Sequence, residues 1–162
     1  VTVRLNLGSG DDRRDGYVSV DLREDVADVV CDVRKLEHWG DATVDEILAE
    51  DLLEHFPADE TVPILEEWAR ALKPGGALTV KVPNMLALAD AISAYARAEK
   101  FGAVACLLRN VYGGHRWGPD GAWDTHHTGW VPVQLHDMLA MAGFEVLSDD
   151  GAINNRVVAR RV

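Results

Sequence analysis

The stretch Leu7 to Tyr17, LGSGDDRRDGY, decides how this chain folds. An alternating, then apolar, run from Val1 to Leu7 precedes it and reads as a strand, and Tyr17 to Leu22, YVSVDL, reads as the next. Only ten residues separate Leu7 from Val18. A helical crossover between parallel strands takes about a dozen or more. The Gly8-Ser9-Gly10 loop therefore lacks the helix that a glycine-rich nucleotide loop normally introduces, and the first crossover is predicted to be truncated to turns.

Outward from this loop the chain alternates strand and helix signals. Ala27 to Val30 is a short third strand and Asp45 to Ala49 a fourth. Pro57 opens a helix running to about Leu72, on which Val62, Leu65, Trp68, Ala69 and Leu72 recur at helical spacing, and Lys73-Pro74-Gly75-Gly76 stops it. Leu78 to Val82 is a fifth strand, and Pro83-Asn84 leads into an alanine-rich helix through about Arg97. Glu99 to Trp130 changes character, rich in glycine, tryptophan and histidine, and reads as one long excursion (an insertion at about 99–131). Pro132 to Ala142 is a helix, and Phe144 to Leu147 and Arg156 to Val162 are the last strands. This pattern predicts one α/β domain over residues 1–162, a largely parallel sheet with helices on both faces and ligands at the carboxyl ends of the strands.

Composition narrows the partners. A formal net charge of -11 repels phosphate polymers, which are bound by neutralising charge, and so argues against nucleic acid. No Asn-Pro-Pro-Tyr or Asp-Pro-Pro-Tyr element follows strand four, where the sequence is Glu50-Asp51-Leu52-Leu53. No apolar run is long enough for a membrane helix and no export signal opens the chain, so a soluble, cytoplasmic protein is expected. Cys31 and Cys106 lack C-x-x-C spacing and read as buried free thiols. Arg13-Arg14 and Arg160-Arg161 read as solvated surface.

The truncated loop also selects a ligand. A dinucleotide pyrophosphate relies on the positive end of the helix after the glycines, and here position 13 of an incomplete G-x-G-x-x-G is Arg while Asp11, Asp12 and Asp15 outnumber the loop arginines. S-adenosylmethionine carries no phosphate. It needs close backbone approach, which Gly8 and Gly10 supply because they lack Cβ. Asp21, ending strand two, suits a ribose diol, and Asp32, after strand three, an adenine amino group.

In order, LNLGSG, VDL, CDVRKL, ILAEDLLEHF, LKPGGALTVKVPN and the later AGFEVL resemble the class I S-adenosylmethionine-dependent methyltransferase superfamily, in its short-loop group of predicted methyltransferases. The resemblance runs from Arg4 to Asn84 and again from Ala142 to Leu147. It implies a Rossmann-like three-layer sandwich around seven strands, the last antiparallel. It also implies a cofactor against Gly8, Ser9 and Gly10, with ribose on Asp21 beside Leu22 and adenine near Asp32-Val33. Asn6 stands where the family commonly has an acidic residue, leaving Glu50 or Asp51, next to Leu52, to compensate.

Transfer to a hydroxyl requires a group that takes the acceptor proton, and histidine is matched to that task near neutral pH. The segment VYGGHRWGPDGAWDTHHTGW resembles the variable insertion of the short-loop group, which makes His126 the recurrent histidine and first base candidate, with His115 second and His127 the variable neighbour. His55 matches a recurrent pocket histidine. Tyr112, Trp117, Trp123 and Trp130 are candidates for an aromatic wall around a sugar or flat ring. A metal on His115, Asp124, His126 and His127 is disfavoured, because adjacent histidines point apart and lack ligand spacing. The expected activity is O-methylation of a small-molecule or glycan-like acceptor. The competing readings are a non-catalytic binding module on this fold and an NAD-dependent oxidoreductase.

Overall fold

The computed structural model describes residues 2–114 and 119–162. Among them seven strands form one sheet: β1 (Arg4–Leu7), β2 (Val18–Asp21), β3 (Val29–Val30), β4 (Val44–Glu50), β5 (Leu72–Pro83), β6 (Phe144–Asp149) and β7 (Asn154–Arg161). Their spatial order is β3-β2-β1-β4-β5-β7-β6. The first five run parallel, and β7 lies antiparallel between β5 and β6. The order reverses between β1 and β4, which opens a crevice at their carboxyl ends.

The expected truncation is present: Gly8 to Tyr17 forms turns and no helix. Among the described residues the α-helices fall only after β4. They are α1 (Thr61–Ala71), α2 (Met85–Arg97), α3 (Phe101–Tyr112) and α4 (Pro132–Met141). Asn84 caps α2, its side-chain oxygen accepting from the Leu86 and Ala87 N–H groups. Helix α3 lies inside the segment read as an excursion, so that segment is partly regular.

Strand register explains where the core sits. Leu5, Ile47, Leu78 and Ala159 stand in one row across the sheet, and Leu7, Ala49, Val80 and Val157 in another. Both rows are buried in a single apolar cluster with Leu65, Trp68, Leu135 and Leu139 from α1 and α4. The alternate rows contain Ser19, Asn6, Leu48 and Thr79, then Glu50, Lys81 and Arg156. That face is polar because the β1–β2 and β2–β3 connections carry turns where a full sandwich carries helices, so this outer layer is reduced to turns and ion pairs. Arg14 reaches across it to Glu50 at 3.1 Å, and Lys81 meets the same carboxylate at 3.3 Å.

Three expectations need correction. Cys31 is buried, but Cys106 is exposed on α3. Arg14 is an ion-pairing residue of the loop, and Arg161 donates to the Leu72 carbonyl, so neither is free surface charge. Strand β5 begins at Leu72, directly after α1, with Gly75 at φ +78° turning the chain inside it.

Candidate functional site

The glycine loop follows β1 at its carboxyl end. Gly8 and Gly10 both take positive φ, at 61° and 50°, a region costly for residues with a Cβ. A Cβ on Gly8 would lie 2.6 Å from the Leu52 side chain, whereas one on Gly10 would meet nothing within 4 Å. The Gly8 N–H donates to the Val20 carbonyl at 2.8 Å, and the Gly10 N–H to the Asp21 carboxylate at 2.8 Å. The Arg23 N–H donates to the other Asp21 oxygen at 2.9 Å. Loop and β2 carboxylate are thus locked together, with acceptor capacity left on Asp21.

Beside them lies a cleft of about 340 Å³. Gly8, Gly10, Asp21, Leu22, Asp32, Val33, Asp51 and Leu52 all line it, as does His55. Asn6 and Glu50 are placed elsewhere: Asn6 is buried and donates to the Asp12 carbonyl at 2.8 Å, while Glu50 is spent on arginine and lysine. Ser9 is buried, and its Oγ finds no hydrogen-bond partner among the described residues. Arg34 grips Asp32, which holds that carboxyl below the usual carboxylate range. Sequence reasoning did not single out Arg23, Arg34 or Phe56, which also line this cleft. Arg34 sits 5.9 Å from the Phe56 ring centroid.

A second cleft of about 590 Å³ adjoins the first and shares Asp51, His55 and Asp124 with it. Its wall includes Glu54, Arg109, Asn110, Gly113 and His126. Two main-chain contacts assemble it. The Glu54 carbonyl accepts from the His127 N–H at 2.8 Å and the Thr128 N–H at 3.2 Å, pinning the turn after β4 to the 125–128 segment. Gly113, at φ +84°, pairs with Thr125 so closely that a Cβ would fall 1.9 Å from the Asp124 carbonyl oxygen.

This packing brings the His55 and His126 rings to 5.0 Å, edge to face. His126 Nδ1 sits 3.0 Å from the Asn110 carbonyl oxygen, so that nitrogen carries the proton and Nε2 keeps its lone pair. Burial pushes this imidazole below its ordinary range, and the neighbouring His55 pushes it further. Close to both rings is a residue the sequence reading missed. Glu54 is 1 % exposed and both its carboxylate oxygens lack hydrogen-bond partners among the described residues. Burial pushes its carboxyl up to about 8. The available signal was a charged residue directly after the apolar pair Leu52-Leu53.

The aromatic candidates separate. Trp130 is 3 % exposed and packed in the core, while Tyr112 is 61 % exposed on α3 and lines neither cleft. Trp123 does line the first cleft. His115 and Trp117 lie outside the described residues.

Residues 12–80 match the model of a methyltransferase domain. The match spans under half of the chain. The β3-β2-β1-β4-β5-β7-β6 order, with the glycine loop at the β1 end, is the fold of the class I S-adenosylmethionine-dependent methyltransferases. Among curated proteins none matches the chain. Solved structures share the methyltransferase fold at low identity. The 1,6-didemethyltoxoflavin-N1-methyltransferase of Burkholderia thailandensis, with bound 1,6-didemethyltoxoflavin and S-adenosylhomocysteine, is 19% identical with a TM-score of 0.66, covering 99% of this chain and 71% of that one. A methyltransferase from Methanosarcina mazei is 15% identical with a TM-score of 0.65, covering 98% and 92%. One from Archaeoglobus fulgidus is 15% identical with a TM-score of 0.65, covering 99% and 86%. Among the described residues no helix is long and apolar enough to cross a membrane.

Proposed function

We propose that this methyltransferase holds S-adenosylmethionine in the first cleft and methylates a small-molecule or glycan-like acceptor, at oxygen, in the second. The observation that carries this reading is the junction of the two clefts at Asp51, His55 and Asp124, with the His126 lone pair on the acceptor side.

The first cleft fits the cofactor on its own chemistry. Asp11, Asp21, Asp32, Asp51 and Asp124 outnumber Arg23 and Arg34 on its wall, an acidic bias suited to a cationic ligand and opposed to a diphosphate. No helix N-terminus follows β1 to neutralise phosphate. Gly8 and Gly10 supply the close main-chain approach, and Asp21 presents acceptor oxygens for a diol. When bound, the cofactor supplies a methyl group already activated by its cationic sulfur, so the protein's task is orientation and proton handling.

For a hydroxyl acceptor, His126 Nε2 takes the proton as the oxygen attacks, and the Nδ1–H bond to Asn110 holds the ring in the tautomer this needs. Burial keeps the imidazole neutral near pH 7, the form able to accept. The Burkholderia structure supports a small-molecule acceptor, since that protein is an N1-methyltransferase holding 1,6-didemethyltoxoflavin.

Calorimetric titration with S-adenosylhomocysteine tests the cofactor site, and His126→Ala tests the proton acceptor. Wild-type protein is expected to bind the nucleoside. The variant should bind it equally well and turn over about a hundredfold more slowly or worse, with labelled methyl donor as the readout. No heat from the wild type defeats the reading. Undiminished turnover in the variant removes His126 from the chemistry.

A further inference from the structure

The cluster at the floor of the second cleft does more than proton handling requires. Glu54, His55 and His126 each offer a ligand atom, and these atoms all lie within 4.8 Å of one another. We infer that Glu54, His55 and His126 form a binding site for a divalent first-row transition cation. This deepens the proposed function, on whose acceptor cleft it rests.

Glu54 is the first reason. A carboxylate removed from water costs several kcal/mol unless it is paired, and each of its oxygens is buried without a hydrogen-bond partner among the described residues. Lys81, the cation nearest along the sheet, is already committed to Asp51 at 2.7 Å and Glu50 at 3.3 Å. A side chain this enclosed and unpartnered is aimed at something the protein alone does not supply.

The histidines are the second. Metal-ligating imidazoles usually give their other ring N–H to a carbonyl or carboxylate, which orients the ring and fixes the lone pair. His126 does this through Nδ1 to Asn110. His55 has the Thr125 carbonyl oxygen 3.1 Å from Nδ1 and the Asp51 carbonyl oxygen 3.1 Å from Nε2. A neutral imidazole donates through one nitrogen only, so one of these oxygens faces a ring lone pair. Donor atoms about 2.1 Å from one cation sit about 3–4 Å apart, so ligand atoms all within 4.8 Å of one another can converge on one ion with small side-chain adjustments.

Donor type then selects the ion. Two imidazoles and one carboxylate suit Zn2+, Fe2+, Co2+ or Mn2+ better than Mg2+ or Ca2+, which prefer oxygen throughout. Three protein ligands leave positions open to the cleft, as in catalytic sites. With the cation seated, the His126 lone pair is a ligand and no longer a base, and the acceptor hydroxyl is acidified by coordination, its proton leaving to solvent. The set differs from the one weighed on sequence. Only His126 is common to both, and the partners come from the turn after β4.

Titration of the full chain, stripped of metal, with Co2+ tests the site through visible absorption bands and heat. Wild type and His127→Ala, whose side chain is exposed outside the cluster, should bind one equivalent with the same affinity. Glu54→Gln, which replaces the ligating carboxyl by an amide of the same shape, and His126→Ala should each bind at least tenfold more weakly. Absence of bands and heat in the wild type up to about 1 mM Co2+, or equal affinity in the cluster variants, overturns the proposal. S-adenosylhomocysteine titrated into the same samples separates the two readings. Nucleoside binding without Co2+ binding sinks the metal site alone, and Co2+ binding without nucleoside binding sinks the methyltransferase reading while the metal site stands.

Discussion

Asp21 does two jobs with one carboxylate. It accepts the Gly10 N–H, which shapes the loop, and it faces the first cleft, where a ribose diol is expected. The two jobs separate by substitution. Asp21→Ala removes both and should weaken S-adenosylhomocysteine binding by about 1–3 kcal/mol, the cost of leaving charge-assisted bonds unmade. Asp21→Asn keeps an acceptor for Gly10 and should lose less. Calorimetry on both variants checks the order, and equal affinities for wild type and Ala would move the ribose elsewhere. Gly8, Gly10 and Asp21 were legible in the sequence because each is fixed by local rules: a glycine where φ is positive, a carboxylate at a strand end. Glu54 was not legible as part of a cluster. Its partner His126 stands 72 positions away, and the two segments meet through the main-chain bonds from His127 and Thr128 and the His55 contact with the Thr125 carbonyl.

At the scale of elements, α1 and its neighbours show why most of the fold could be read and α3 could not. Helix α1 buries Ile64, Leu65 and Trp68 on one side, so its apolar spacing is strict. Helix α3 buries no residue fully and its N-cap, Lys100, makes no side-chain capping bond. Its apolar side is nearly as one-sided as that of α1 but stays uncovered, with Phe101 and Tyr112 exposed, and the glycines, tryptophans and histidines that follow made the whole segment read as irregular chain. Helix α1 also secures the connection before β4. Trp68 Nε1–H donates to the Val33 carbonyl at 2.9 Å, and Glu67 accepts the Leu36 N–H at 2.8 Å and two bonds from Arg70. The Arg70 guanidinium holds Glu67 below the usual carboxylate range. The folded form thus stays charged where the unfolded chain takes up a proton, so this contribution is present above the ordinary glutamate value near pH 4.3 and is lost as pH falls through the lowered folded value. Glu67→Gln should cost about 1–3 kcal/mol at pH 7, and the difference from wild type should shrink as urea melts are repeated toward pH 3. A constant difference across that range would show that Glu67 acts by shape.

For the whole molecule, cover is uneven. One sheet face is sealed by α1 and α4 around a continuous apolar cluster, the other by turns and ion pairs, and the α2–α3 hairpin packs chiefly on itself. Amide exchange should follow this division. Protection should be greatest in β4 and β5, while Phe101–Tyr112 exchanges by local opening well below the global unfolding free energy; mass-resolved exchange showing equal protection in α3 and β4 would contradict it. Such loosening reaches His126, whose Nδ1 faces the Asn110 carbonyl and whose backbone N–H donates to the Tyr112 carbonyl, both on α3. The Glu54 carbonyl also clasps the 125–128 backbone, so the strip carrying His126 is tied to the turn behind β4 as well. Sway of the hairpin then acts on two things at once, the mouth through which an acceptor enters and the bond that sets which imidazole nitrogen keeps its lone pair.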